Sequence, residues 1–80
     1  SWIKLYPNPT QSFFTLEHGD LEDDITIQIF NNKGKLFYEN IINTSDLKTT
    51  NLDCSSFPTG LYLIHLVNKG KSTARKLIIK

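Results

Sequence analysis

Apolar residues return at every second position along almost the whole chain, and a side-chain period of two belongs to β-strands rather than helices. Ile25, Ile27 and Ile29 alternate with Thr26, Gln28 and Phe30, a β-branched pattern that fits a strand with one buried face. The same reasoning predicts strands at 3–6, 12–16, 36–42, 49–52, 61–68 and 72–79. The segment 61–68 is the most apolar of them and is expected at the centre of a sheet. No window of helical length carries apolar residues at i, i+3, i+4 and i+7.

Turn chemistry orders these strands. The tetrapeptide Asn-Lys-Gly-Lys occurs at 32–35 and again at 68–71. Glycine accepts positive φ freely and asparagine better than most residues, so both copies predict tight hairpins. They pair the third strand with the fourth and the sixth with the seventh. The strands flanking the two copies do not otherwise align, which favours shared turn chemistry over an internal duplication. The longer connections, 17–24 and 43–48, are candidates for crossing between two sheets, as in a Greek key. The expected fold is all-β: an antiparallel immunoglobulin-like β-sandwich of about seven short strands, without the paired cysteines of antibody domains. Gly60 follows Pro58-Thr59 and starts the most apolar strand, so it is expected to need positive φ or to sit where a side chain would collide. The consecutive pairs Phe13-Phe14 and Phe37-Tyr38 are expected to point to opposite faces of their strands.

Eighty residues with a formal charge of +1 make one domain, spanning 1–80, and exclude a nucleic-acid binder that works by neutralising phosphates. No apolar run approaches the roughly 18 residues of a transmembrane helix. The chain opens on Ser1 and contains no methionine, which leads us to expect a piece excised from a longer protein, where any signal peptide would lie far upstream. Cys54 is the lone cysteine, so an internal disulfide is impossible, and its setting between Asp53 and polar neighbours suits a small buried hydrophobe.

Catalytic chemistry is not expected. His18 falls in a loop and His65 inside the most apolar strand, and neither has a nucleophile and an orienting group nearby in sequence. The stretch 17–24 holds five carboxylates in eight residues, which could offer oxygen ligands to calcium. Its spacing does not match the Asp-x-Asp-x-Asp-Gly loop, so a solvated connection is the simpler reading and no metal or other cofactor is expected. The aromatic residues, Trp2 and Phe57 among them, could build a sugar-stacking platform, but most are better used as core in so small a domain.

Two anchors stand at the chain's extremes: Tyr6-Pro7-Asn8-Pro9-Thr10 at the start, and Gly60-Leu61-Tyr62 leading to Lys76-Leu77-Ile78-Ile79-Lys80 at the end. Two prolines one residue apart fix φ twice and make a rigid corner. Together the anchors resemble the C-terminal sorting domain of the type IX (Por) secretion system, carried by cargo proteins of the Bacteroidetes. The resemblance covers essentially the whole chain. It assigns Pro7, Asn8 and Pro9 to the opening motif, Gly34 and Lys35 to a Gly-Lys hairpin, Gly60 and Tyr62 to a Gly-x-Tyr strand start, and Lys76, Leu77, Ile78, Ile79 and Lys80 to the terminal strand. It implies a non-catalytic address that takes periplasmic cargo across the outer membrane through the type IX translocon. It further implies a sortase-like cysteine peptidase that cuts upstream, with the cargo then held at the cell surface or released.

Lys69, Lys71, Arg75, Lys76 and Lys80 have no acidic residue among them. Read alone, this run is a solvated edge whose lysines deter aggregation. Read with the resemblance, it is a candidate recognition surface for the translocon. The competing class is an accessory immunoglobulin-like module that holds carbohydrate or another domain of a secreted enzyme.

Overall fold

Seven strands follow one another in the computed structural model, which describes residues 3–19, 23–44 and 48–80. They are β1 (Lys4–Tyr6), β2 (Phe13–Glu17), β3 (Ile25–Asn31), β4 (Leu36–Ile42), β5 (Thr49–Asp53), β6 (Gly60–Asn68) and β7 (Lys71–Ile79). A three-stranded sheet, β1-β2-β5, faces a four-stranded sheet, β4-β3-β6-β7, and every ladder is antiparallel. The chain changes sheet between β2 and β3 and between β4 and β5, as expected from the two longer connections, and returns between β5 and β6. β6 lies between β3 and β7, the central place its composition predicts, yet its outward face stays half open.

The period of two becomes the core. Phe14 and Leu16 from the smaller sheet meet Ile25, Ile27, Ile29, Ile64, Leu66, Leu77 and Ile79 from the larger one, all of them buried. Facing side chains of stacked sheets fill the space of about 10 Å between them, so a slip of one residue in any strand would turn this set out to water.

The two Asn-Lys-Gly-Lys copies build different turns. At 68–71, Asn68 pairs with Lys71, and both central residues have positive φ, 46° at Lys69 and 81° at Gly70. That is the two-residue turn whose twist matches a hairpin. At 32–35 only Gly34 has positive φ, at 85°, and the turn is closed by Asn31: its Oδ1 accepts from the Lys33 and Lys35 amides, both at 2.9 Å. The same four residues are thus read in two registers, which fits shared chemistry rather than a copied unit. Lys69 is the cost of the tighter turn, because a side chain there crowds its own carbonyl. Lys69→Asn is expected to raise stability by about 0.5–1 kcal/mol, despite losing the exposed 3.8 Å contact of Lys69 with Asp23. The check is the midpoint of thermal unfolding.

A register shift between Ile29 and Phe30, opposite Phe37, corrects the expectation for Phe37-Tyr38. A bulge places two residues against one and turns both toward the same side. Tyr38 packs on the core, and Phe37 leans over its rim with Phe57 at 5.8 Å and Tyr62 at 5.5 Å between ring centroids. Phe13-Phe14 has no bulge and behaves as expected, with Phe14 wholly buried and Phe13 55% exposed.

Of the acidic stretch, positions 20–22 lie outside the described residues, as do Trp2 and positions 45–47 of the second long connection. Around it, the Thr44 hydroxyl donates to the Asp23 carbonyl at 2.9 Å and the Asn68 side-chain amide donates to the same carbonyl at 2.8 Å. These bonds satisfy two polar side chains that the fold buries.

Candidate functional site

The opening motif and the terminal strand are one structure. The Asn8 carboxamide donates from Nδ2 to the Lys76 carbonyl at 2.8 Å and accepts at Oδ1 from the Ile78 amide at 3.0 Å. It stands in for a peptide group on the open edge of β7. Thr10 continues the pairing: its amide donates to the Ile78 carbonyl at 2.9 Å, and its carbonyl accepts from the Lys80 amide at 2.8 Å. The result is a short parallel bridge of Thr10 with Ile79. The Thr10 hydroxyl, buried, donates to the Phe13 carbonyl at 2.6 Å and so anchors the segment to β2. Pro7 and Pro9 have no N–H to give, so this segment cannot run on as an ordinary added strand. The peptide bonds before both prolines are cis.

The remaining motif residues gather at the same end of the sandwich. Gly60 pairs with Ile79 and Tyr62 with Leu77. Gly60 has φ of 155°, and a Cβ placed there would meet nothing within 4 Å. Its requirement is therefore backbone conformation alone, and the collision considered from sequence is absent. Tyr62 is buried, donates its hydroxyl to the Pro58 carbonyl at 2.6 Å, and lies 5.6 Å from the Phe57 ring. Lys35, next to Gly34, sets its ammonium 5.9 Å above the Phe37 ring. The Gly-Lys hairpin, the Gly-x-Tyr start, the opening motif and the chain's last strand thus share one end.

The five basic residues do not all share it. Lys69 and Lys71 flank the β6–β7 turn, and β7 spans nine residues, so Lys80 lies about 30 Å away at strand spacing. Arg75 falls on the inward-facing side of β7 with Thr73, donating from Nη1 to the Thr73 hydroxyl at 2.6 Å and to the Ala74 carbonyl at 3.0 Å. Lys76 alternates with buried Leu77 and faces outward. Lys80 lines a shallow groove with Pro7, Pro9 and Phe13.

The titratable groups considered for chemistry are held apart. His18 is buried, with Nδ1 2.9 Å from the Gly19 carbonyl and Nε2 3.1 Å from the Thr50 hydroxyl. A carbonyl can only accept, so this network assigns the proton to Nδ1 and lets Thr50 donate to Nε2. His65 has Nδ1 3.4 Å from the Gln28 side-chain oxygen. Cys54 lies at the far end of the β2–β5 pair from His18: its amide donates to the Ser12 carbonyl, whereas the His18 amide donates to the Lys48 carbonyl. Burial pushes the Cys54 thiol up, and the neighbouring Asp53 charge adds to this. The thiol is expected to resist a maleimide reagent in the folded domain and to react fully once denatured, as read by mass spectrometry. Because the unfolded thiol ionises first, its effect on stability is absent below the unfolded pKa of about 8.5 and becomes a loss as pH rises beyond it.

Sequence reasoning singled out these residues but missed the bond between them. Nothing in a local pattern shows that an asparagine will serve as a peptide mimic for a strand some 70 positions away.

Comparison with known proteins bears on this geometry. The model of a family described as "Secretion system C-terminal sorting domain" matches residues 4–80. An ulvan lyase of Nonlabens ulvanivorans is 36% identical over 78 residues, which is 96% of this chain and 14% of the lyase. The chain therefore spans a small part of that relative. A crystal structure of a DUF3244 family protein from Bacteroides vulgatus, described as an immunoglobulin-like β-sandwich, superposes with a TM-score of 0.77. It covers 98% of this chain and 96% of its own at 18% identity, a likeness of fold.

Proposed function

We propose a function that proceeds from membership: this chain belongs to the secretion system C-terminal sorting domains, of the type IX kind. Such a domain engages the secretion system and directs a protein to the cell surface or beyond. The finer reading is ours. The domain is a non-catalytic, transplantable address; it rides on cargo that passes through the periplasm, is recognised as a folded unit by the translocon, and is then removed by a sortase-like cysteine peptidase acting upstream of the opening motif. The cargo is left attached to the surface or released.

The observation that carries this reading is the clasp of Asn8 and Thr10 on 76–80. An address must be distinguishable from cargo of any composition, and a surface assembled from the first and last motifs exists only when the whole domain has folded. Pro7, Asn8, Pro9, Gly34, Lys35, Gly60 and Tyr62 shape that end of the sandwich. Lys76 and Lys80 supply its charge, and charge across an encounter surface sets orientation and on-rate more than affinity. Of the other basic residues expected on this surface, Lys69 and Lys71 lie at the opposite turn and Arg75 on the other face of β7, so they stand outside it.

The test fuses the intact domain to a periplasmic reporter in a type IX-competent bacterium. The expected result is reporter in the medium or on the cell surface, cleaved from the domain, and none when the translocon is deleted. Retention of the intact fusion in the periplasm would reject the reading.

A further inference from the structure

The terminal strand can present itself to a partner in three ways, and the fold closes two of them. Leu77 and Ile79 are buried against the other sheet. Of the backbone groups on the open edge of this strand, the carbonyls of Lys76 and Ile78 and the amides of Ile78 and Lys80 are taken by Asn8 and Thr10. Addition of a partner strand at 76–80 is therefore blocked, although an open edge is the usual way in which one chain reads another's strand. What remains is the outward side chains, Lys76 and Ile78.

Those side chains border an apolar surface. Ile78 lies directly across from Leu61, and Lys76 across from Leu63. Leu63 in turn lies across from Phe30, and Phe30 from Leu36. Opposed residues on one face sit about 5 Å apart, so these side chains line up in a band crossing all four strands. Leu61, Leu63 and Ile78 are 41%, 42% and 43% exposed. They stand together on one face, unlike the singly scattered apolar residues that need no explanation.

We propose that this outer face of β4-β3-β6-β7, at the motif end, is where the secretion machinery docks, and that its partner is a protein surface bearing apolar side chains with a carboxylate placed opposite Lys76. The proposal rests on the sorting reading and adds to it the face and the chemistry. Charge selects the carboxylate: Lys76 is the cation within the band, and the acid on the same face, Glu39, is engaged by Gln28 at 2.6 Å. Charge also argues against a second copy of this chain, which would bring up the same face, whose acid, Glu39, is already engaged by Gln28. A membrane surface is disfavoured because lipid headgroups are held by clusters of about four to eight basic residues, not by one.

The experiment uses the reporter fusion with Leu63→Thr/Ile78→Thr, Lys76→Glu, Lys76→Arg and, as control, Ile41→Thr. Ile41 is also exposed, 64%, on β4 away from the band. Thermal midpoints of the purified domains establish that each variant is folded. The expected outcome is export at the parent level for Ile41→Thr, a loss of about tenfold or more for the double variant and for Lys76→Glu, the size of a contact worth about 1.4 kcal/mol, and a smaller loss for Lys76→Arg, which keeps the charge. Parent-level export of the folded double variant would overturn the proposal. So would cosedimentation of the parent domain, but not the double variant, with phosphatidylglycerol vesicles, which would assign the face to lipid. A dimer in analytical ultracentrifugation that the double variant abolishes would assign it to a second copy. Failure of the parent fusion itself would reject the sorting reading, and this inference with it.

Discussion

Phe14→Ala is expected to destabilise the domain by about 3–5 kcal/mol, the range for emptying the site of a large buried ring. An 80-residue domain holds on the order of 4–12 kcal/mol in total. The variant should therefore be largely unfolded, or fold only at low temperature. Phe14 is wholly buried and lies opposite Leu52 on β5, in contact with the core that both sheets build. Phe13, its chemical twin one position earlier, points to water beside Asp53, and Phe13→Ala should fall within about 0.5 kcal/mol of the parent, as exposed substitutions do. Urea denaturation of the two variants decides the matter. Equal effects would mean that the register of β2 is wrong.

Removal of residues 77–80 is expected to abolish cooperative unfolding. It deletes two buried side chains, Leu77 and Ile79, each worth about 2–5 kcal/mol in a packed core. It also takes away the Ile78 amide and carbonyl and the Lys80 amide to which Asn8 and Thr10 are bonded. Loss of export on truncation thus reports unfolding as much as loss of an address. Asn8→Ala is the gentler probe. It removes two hydrogen bonds at an exposed edge where water can replace them, so the cost should be about 1–3 kcal/mol, with the fold retained. Amide hydrogen exchange should then quicken at Ile78, whose donor has lost its acceptor, and at Lys80, whose Thr10 partner is tethered by the same segment. Amides inside the β3–β6 ladder should keep their protection. Unchanged exchange at Ile78 would show that the carboxamide does not hold the edge.

The sequence by itself determined the class of fold, the position of all seven strands to within about two residues, both hairpins and both first crossings between sheets. It could do so because strand period and turn preference are local: the alternation in 25–29 and a glycine after an asparagine act over a few residues, whatever lies beyond. It also placed Cys54 inside, since a lone cysteine flanked by alternating polar residues has few other uses, and it picked out the motif residues by their resemblance to a known family. Where local rules were altered by a distant partner, the sequence was silent. The bulge that carries Phe37 onto the rim depends on the register between β3 and β4. The identical tetrapeptides diverge because Asn31 closes one turn while the ladder of β6 and β7 sets the other. Most of all, the pairing of Asn8 with Lys76 and Ile78 exists only because seven strands bring the two ends of the chain to one edge. Hydrogen bonds between residues so far apart in sequence leave no periodic trace, and only the folded sheets decide which backbone groups are covered and which side chains are left for a partner to touch.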